Sequence, residues 1–389
     1  MPGGTGDRWL ALGVLAFGRI AMGVQFQSIG AVSPLLAERL GIGGTELGVL
    51  IGLFALPGIV LALPGGLLGR RLGDRQLVLG ALVMMAVGSA LIGEAFTFHA
   101  AAAGRLLTAV GAVLLNVLGA KMVADWFTGR EIVWAMAVYV NSWPVGNALA
   151  AFTLPVIASH WGVAAAFHAA GAAAALGAIA VAVARPGSAA SEAAPNAGAP
   201  IGLSRGEMSR VSLSAIPWML YNVGYAVMLG FLPALLVRGG IPLERAGVLI
   251  GLALVLFVGS AQVGGAAAQW LVRPGTTVVV GLAPFAAALA LLPYAPALPC
   301  LLVIGVLAGL PAAALVSAPT LVLGPASRGP GMGLFYTWYY AGMAVLPGIA
   351  GWLEDVLGRA AAVEFAAGAI VAALAFDVAF RRLIVGEPA

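Results

Sequence analysis

The chain has 389 residues, of which 62% are hydrophobic and only 9% are charged, and its mean hydropathy is +1.04. Soluble domains carry about 25% charged residues, so this composition excludes a water-soluble globular protein and makes lipid the expected solvent for most of the surface. The formal net charge of +4 does not indicate nucleic-acid binding, because no basic cluster lies among aromatic residues that could read bases.

Hydrophobic segments follow one another along the whole chain, each close to the ~20 residues that span a bilayer as a helix. We predict an all-α membrane protein with twelve transmembrane helices. The first segment is too long for the apolar core of a signal peptide and lacks a basic stretch before it, so we expect it to be retained. The segments are 9–34, 45–68, 76–95, 99–122, 133–157, 160–184, 211–236, 246–271, 275–294, 298–323, 331–352 and 360–380.

The longest polar interruption, residues 186–210, is rich in Ala, Gly, Pro and Ser and is typical of a flexible linker. It divides the chain into an N-terminal six-helix bundle, 1–185, and a C-terminal six-helix bundle, 211–389. Thirteen of the 19 Lys and Arg residues lie on one side of the predicted topology, four lie on the other side, and two lie inside helices. Because basic residues stay in the cytoplasm, we expect both termini to be cytoplasmic, in a bacterial-type inner membrane.

The two halves repeat each other when the sequence is shifted by 199 residues. The run Gly48-Val-Leu-Ile-Gly-Leu53 falls on Gly247-Val-Leu-Ile-Gly-Leu252, and Pro34, with the turn that follows it, falls on Pro233 and its turn. An even number of helices in each half makes these parallel repeats, which is the arrangement of two related six-helix halves. We therefore expect 34–66 to superpose on 233–265 about a pseudo-twofold axis along the membrane normal.

Three motifs connect this architecture with a known family. The segment Gly66-Leu-Leu-Gly-Arg-Arg-Leu-Gly-Asp-Arg75 resembles the loop signature of major facilitator transporters, although Arg70 stands at its acidic position. Arg105-Leu-Leu-Thr-Ala-Val-Gly111 resembles the helix 4 motif of the same superfamily. The stretch from Gly104 to Gly146 is similar to the cyanate/nitroimidazole porter branch and, more distantly, to nitrate/nitrite porters.

The resemblance implies the major facilitator fold and transport of a solute by alternating access, with no cofactor and no enzymatic activity. Nitrate porters carry an arginine in helix 2 and another in helix 8. This chain has none inside either predicted helix, which argues against nitrate itself.

Two arginines lie inside predicted helices, where a charge is costly unless it has a partner or faces a cavity. Arg19 lies near the middle of helix 1, and we interpret it as an anchor for an anionic substrate, because a guanidinium binds planar oxyanions through two hydrogen bonds. The other interpretation is a structural arginine bonded to helix carbonyls. Arg105 lies nearer the outer surface and suits either a structural or a functional role.

Polar and aromatic side chains on helices 5, 7 and 11 are further candidates for substrate contact. Those of helix 7 share one face and align, under the 199-residue shift, with the face of helix 1 that carries Arg19, so we expect the two sets to face each other across the cavity. The other interpretation is a packing stripe of aromatic residues. The candidates are Tyr139, Trp143 and Asn147 on helix 5, Trp218, Tyr221, Asn222 and Tyr225 on helix 7, and Tyr336 and Tyr339 on helix 11.

Charged residues at the cytoplasmic ends of helices 2 to 5 are expected to form contacts that close this side in one conformational state. The predicted gating residues are Asp74, Arg75, Lys121, Asp125 and Arg130, together with Arg70, Arg71 and Glu131.

The interior arginine and the lack of any acidic residue near the midplane favour an anion as the substrate. We expect a monomeric secondary transporter for a small inorganic oxyanion, a cyanate-like anion or a small organic carboxylate. Its other partners would be membrane lipids and, if transport is proton-coupled, a proton. The alternative is an efflux carrier for a weakly charged drug or metabolite.

A membrane enzyme would need a nucleophile, a base or a metal cluster, and the sequence has no such group. A channel would share the hydropathy but not the duplicated architecture.

Overall fold

The computed structural model describes residues 5–61, 72–129, 131–184, 203–270, 275–324 and 327–382, and all regular structure in these ranges is helical. One short 3-10 helix spans Ala318–Leu321. The α-helices are α1 Thr5–Ala31, α2 Ser33–Leu40, α3 Gly44–Gly52, α4 Gly58–Leu61, α5 Asp74–Gly93, α6 Phe98–Trp126, α7 Glu131–Ala184, α8 Arg205–Arg238, α9 Leu243–Trp270, α10 Gly275–Leu291, α11 Ala297–Leu307, α12 Ala312–Ser317, α13 Arg328–Leu357 and α14 Ala361–Phe380.

Each of the twelve predicted segments coincides with helix over most of its described length, so the predicted all-α membrane fold is confirmed. Seven helices in the described ranges are long and apolar enough to cross a membrane, and the bent pair α11 and α12 would make an eighth span. The predicted helix 2 is broken into α3 and α4 by the turn 53–57, and its last predicted residues lie outside the described ranges. Predicted helices 5 and 6 form the single run α7, which is broken at Gly162, where φ is 86°.

The predicted linker 186–210 lies outside the described residues up to position 202. Its last six residues are helical, since α8 begins at Arg205. Ser204 accepts a hydrogen bond from the Glu207 amide, and the Glu207 carboxylate accepts one from the Ser204 amide. This reciprocal capping box satisfies two amides at the helix start, which explains why helix extends into a segment whose composition suggested a linker.

The chain forms two compact units, and each includes a short segment from the other half of the sequence. The first contains the described residues of Met1–Ile42, Leu53–Pro195 and Leu243–Gly251. The second contains those of Gly43–Gly52, Asn196–Pro242 and Leu252–Ala389. Helix α3 therefore belongs to the second unit, and the start of α9 belongs to the first.

Close contact between backbones holds the helices of the first unit together. An added Cβ at Gly23 of α1 would lie 2.2 Å from the carbonyl oxygen of Trp143, and one at Gly146 of α7 would lie 2.1 Å from that of Ile20. In lipid the hydrophobic effect does not drive helices together, so small residues that permit such contact stabilise the packing. The two glycines thus fix the crossing of α1 and α7, which positions Arg19 beside α7.

The repeat of 199 residues is visible in the turns that end α2 and α8. Gly41 and Gly240 are equivalent under the shift, and both have positive φ, at 62° and 87°. The amide of the residue after each glycine donates to the carbonyl five residues earlier, at 3.1 Å in the first turn and 3.0 Å in the second. This is the Schellman pattern of helix termination, in which glycine adopts the left-handed conformation without strain.

The same register recurs in a pair of helix contacts, one inside each unit. A Cβ at Gly48 would lie 2.0 Å from the carbonyl oxygen of Pro347, and one at Gly247 would lie 2.4 Å from that of Ala151. The two glycines differ by 199 positions, and their partners, Pro347 and Ala151, differ by 196. Equivalent glycines thus occur at close backbone contacts as well as in the turns that end helices.

The first turn of α3 is held by a carboxylate near the end of α13. Asp355 accepts hydrogen bonds from the amides of Gly44, at 2.7 Å, and Thr45, at 2.8 Å, and from the Thr45 hydroxyl at 2.5 Å. Burial raises the pKa of the Asp355 carboxyl, but the hydrogen bonds from Thr45 and Gly44 outweigh this effect, so the pKa lies below its usual value. Asp355 thus serves as the N-cap that α3 does not supply from its own sequence.

Replacing Asp355 with Ala is expected to loosen the start of α3. Loss of a cap costs about 1 kcal/mol, or roughly fivefold in the local opening equilibrium. Amide hydrogen exchange over residues 44–52 should therefore accelerate by about this factor. Glu38→Gln, which removes an exposed carboxylate from the preceding helix, is the matched control and should leave the exchange unchanged. Equal exchange in the Ala variant and the wild type would refute the capping role.

Candidate functional site

Arg19 lies midway along α1 and contacts two neutral side chains of the first unit. Its Nη1 donates a hydrogen bond to Oδ1 of Asn116 on α6. Its guanidinium carbon lies 4.5 Å from the centre of the Tyr139 ring on α7, which is a cation–π contact. The Nε atom is buried and has no hydrogen-bond partner among the described residues, and the guanidinium meets no carboxylate there. The charge of Arg19 is thus stabilised but not neutralised.

The predicted helix 5 residues lie around the crossing of α1 and α7. Tyr139 is fully buried, and its hydroxyl donates to the carbonyl of Leu115 at 3.0 Å. Trp143 packs against Phe26 of α1 with ring centres 5.1 Å apart. Asn147, one turn further along, is also fully buried. Tyr139 therefore contacts Arg19 directly, while Trp143 contacts Phe26, which lies two turns beyond Arg19 on α1.

Arg105 is fully buried and binds the main chain of α1. Its two terminal nitrogens donate to the carbonyls of Gln25, at 2.6 Å, and Phe26, at 3.1 Å, and the guanidinium lies 4.5 Å from the centre of the Phe54 ring. These contacts fit the structural interpretation of Arg105, because its donors satisfy carbonyls of a neighbouring helix. A role in binding solute stays a prediction.

The predicted helix 7 residues lie within the second unit. Tyr221 is buried and donates to the carbonyl of Ala308 at 2.9 Å, and Asn222 donates to the carbonyl of Trp218 at 2.7 Å. Tyr225 packs against Phe257 of α9, with ring centres 5.1 Å apart. The Tyr221 hydroxyl and the Asn222 amide are thus engaged by main-chain carbonyls. Their role in solute binding is untested.

Aromatic rings of α8 and α13 form one cluster in the second unit. Trp218 lies 5.8 Å from Tyr221 and stacks on Phe335 and Tyr339 at 6.5 and 6.2 Å between ring centres. Tyr336 packs edge-on against Tyr339 and is partly exposed. The indole Nε1 of Trp218 is buried and has no hydrogen-bond partner among the described residues. Of the predicted candidates, Trp218 and Tyr221 on helix 7 and Tyr336 and Tyr339 on helix 11 thus belong to one aromatic cluster.

Three of the predicted gating residues meet at the ends of α5 and α6. Lys121 Nζ lies 2.5 Å from Asp74 and 3.2 Å from Asp125. Arg75 instead donates to the carbonyl of Ala182, at 3.1 Å. Asp74 is buried, so its pairing with Lys121 is shielded from solvent. The role of this network in gating stays a prediction.

Other predicted charged residues lie elsewhere or beyond the described residues. Arg130 and the predicted Arg70 and Arg71 lie outside the described residues. Glu131, the first residue of α7, pairs with Arg8 at 2.9 Å. A further buried pair, which was not among the predicted gating residues, joins Asp377 near the end of α14 to Arg381 just after it, at 2.8 Å. The described part of the chain contains no group of three His, Cys, Asp or Glu residues that could hold a metal ion.

Asn116, which accepts the hydrogen bond from Arg19, is not among the site residues predicted from the sequence. It is the only Asn within the apolar run of α6, between Leu115 and Val117. An amide in the middle of a membrane helix is costly unless it is hydrogen-bonded, and this cost could have singled it out.

The sequence and the fold were compared with known proteins. Residues 15–347 match the Major Facilitator Superfamily. A segment of 121 residues is 26% identical to a protein of Escherichia coli (strain K12) described as a probable L-galactonate transporter, and the match covers 31% of this chain and 27% of that protein. The chain therefore aligns with only about a quarter of the length of this relative.

Solved structures of transporters share the fold at low sequence identity. A bacterial homologue of the human lysosomal transporter Spinster, in an inward-facing and occupied conformation, is 17% identical with a TM-score of 0.74, covering 98% of this chain and 97% of its own. The nucleoside transporter NupG is 13% identical with a TM-score of 0.76, covering 96% and 98%. The family match extends over most of the sequence, and the chain belongs to the Major Facilitator Superfamily: it is a multi-pass membrane transporter of a solute and not an enzyme.

Proposed function

We propose that this transporter carries a small organic anion by alternating access, with Arg19 as the group that binds the anionic end. The observation that carries the proposal is the unneutralised guanidinium in the interior of α1, which has an amide and an aromatic ring as neighbours and no carboxylate among the described residues. Burying a charge without a counterion is costly. A bound anion would supply that counterion during transport.

The guanidinium presents parallel N–H groups that match two oxygens of a carboxylate or of an inorganic oxyanion. What favours a carboxylate is the partial relative from Escherichia coli, which is described as a probable L-galactonate transporter, because galactonate is a sugar acid. The cyanate/nitroimidazole resemblance of residues 104–146 leaves inorganic anions as the next class to test.

The alternative is efflux of a weakly charged aromatic compound, and the cluster around Trp218 favours it. The rings of Trp218 and Tyr339 are half-buried and would stack on a planar ring, and the unpartnered indole N–H would donate to an acceptor on such a compound. In this alternative Arg19 is a structural residue that holds α1, α6 and α7 together.

A thermal-shift screen of the purified protein separates these functions. A ligand that binds only the folded state raises its stability, by about 2.7 kcal/mol at a hundred times its Kd. We expect stabilisation by L-galactonate, gluconate or lactate, and none by choline or by planar aromatic amines. Tracer flux into proteoliposomes then establishes transport of whichever compound binds. Stabilisation by aromatic amines alone would favour the alternative and contradict anion transport.

We further propose that the halves 1–185 and 211–389 move relative to each other during transport. In this proposal the ion pairs of Lys121 control access from the cytoplasm.

We also propose that both termini face the cytoplasm of a bacterial cell. The distribution of Lys and Arg supports this orientation. A green fluorescent protein fused to the C-terminus should fluoresce, because that reporter folds in the cytoplasm; a dark but stable fusion would reverse the topology.

A further inference from the structure

Asn116 and Tyr139 together form the immediate support of Arg19. The Asn116 side chain accepts a hydrogen bond from Arg19, and the main chain at the same position lies 3.5 Å from the Tyr139 hydroxyl. The Tyr139 ring covers one face of the guanidinium. The three groups come from α1, α6 and α7 of the first unit, so their geometry depends on the packing of that unit alone.

An amide at position 116 has a particular consequence for charge. Asn offers a neutral oxygen that accepts one of the five N–H donors of arginine, so it orients the guanidinium and leaves its positive charge intact. An Asp of nearly the same shape would accept the same hydrogen bond and would also form an ion pair, which neutralises the cation. The choice between the two side chains thus decides the net charge of this interior position.

We propose that Asn116 is a positioning residue that makes the Arg19 site selective for singly charged carboxylates. This inference rests on the proposed function, and it specifies the substrate class of the same site. One guanidinium with neutral neighbours carries one uncompensated positive charge, which a monocarboxylate balances. The Nε atom of Arg19 is buried and has no protein acceptor among the described residues, so its N–H is left to donate to a carboxylate oxygen.

The test compares Asn116→Asp and Asn116→Leu with the wild type. The probes are gluconate and lactate, their neutral amides gluconamide and lactamide, and the dianion succinate. Binding is measured by thermal shift, and flux by uptake into proteoliposomes, for proteins that elute as monodisperse peaks. The ratio of carboxylate to amide affinity is the main readout, because a purely structural role of Asn116 would lower both affinities together.

We expect Asn116→Asp to weaken gluconate and lactate binding by about 30-fold or more and to remove the preference over the amides. Asn116→Leu keeps the positive charge and loses only the orientation of Arg19, so it should bind less tightly but still prefer the carboxylates. Succinate should bind the wild type more weakly than lactate. An unchanged carboxylate preference in Asn116→Asp, or tighter binding of succinate than of lactate, would overturn the inference.

Failure of this inference and failure of the proposed function give different results. If Arg19→Gln loses carboxylate binding while Asn116→Asp keeps it, the anion site stands and the role of Asn116 falls. If Arg19→Gln binds carboxylates normally, or if the wild type binds none of the carboxylate probes, the proposed function itself is wrong. Should Asn116→Asp fail to fold, the Leu variant still decides, since a lost carboxylate preference there contradicts the inference.

Discussion

Replacing Arg19 with Gln should abolish solute uptake while the protein still inserts into the membrane. Gln is neutral and shorter than Arg, so it keeps a hydrogen-bonding amide but loses the charge and the planar fork of the guanidinium. Truncating one partner of a buried charge pair costs about 2–5 kcal/mol, which is roughly 30-fold to several-thousand-fold in affinity. Arg19→Lys keeps the charge but cannot donate two parallel hydrogen bonds, so its binding should also be impaired. Uptake into proteoliposomes and ligand-induced thermal shift measure both effects.

Arg245→Gln is the matched control, because it removes the same charge from an exposed position at the start of α9. We expect normal uptake from this variant. Monodisperse elution of Arg19→Gln would show that the loss of uptake is not a loss of fold, even though the variant also lacks the contacts with Asn116 and Tyr139. Normal binding and transport by Arg19→Gln would make Arg19 a structural residue and remove it from the site.

The second large effect is expected at the contact between α1 and α7. A methyl group added by Gly23→Ala would lie 2.2 Å from the carbonyl oxygen of Trp143, which is backbone and cannot rotate away. The helices must then separate, and overpacking of this kind costs typically about 1–3 kcal/mol and occasionally more. We expect a clearly lower melting temperature and less monodisperse protein. Because Arg19 is one turn away, its contact with Tyr139 should loosen as well.

Gly13→Ala provides the comparison on the same helix. An added Cβ at Gly13 would meet nothing within 4 Å, so this variant should be neutral or slightly more stable. The difference between the two melting temperatures thus measures the packing contact and cancels the helix propensity of alanine. Equal melting temperatures would show that α1 and α7 can separate without cost.

The internal repeat is a feature of the fold that can be predicted from the sequence. The 199-residue register follows from the printed residues alone, and it pairs Gly41 with Gly240, which lie in the turns that end α2 and α8. Glycine is required there by local backbone sterics, so a local pattern suffices to predict it. Hydropathy likewise predicts the spans, because lipid demands an apolar surface and internally satisfied backbone groups wherever a helix crosses it.

Local breaks in the helices were less predictable. The turn 53–57 inside helix 2 lies in an apolar run that reads as continuous helix, and the start of α8 lies in a segment whose composition reads as linker. In the first case hydropathy does not detect a bend, because the residues on both sides of it are apolar. In the second, the sequence contains the capping-box residues Ser204 and Glu207, but the Ala-, Gly- and Pro-rich composition of the segment led to the prediction of a linker.

By itself the sequence determined a duplicated helical membrane transporter with an arginine in the interior of its first helix, because composition, hydropathy and self-similarity are properties of the chain. Only the tertiary structure decided what that arginine touches. Asn116 and Tyr139 are 97 and 120 residues from Arg19 in the sequence. Tyr139 meets Arg19 because Gly23 and Gly146 let α1 and α7 approach to backbone contact, and Asn116 meets it because α6 also packs beside α1. Partners across helices depend on how the helices cross and rotate, and a pattern along one chain does not contain that information.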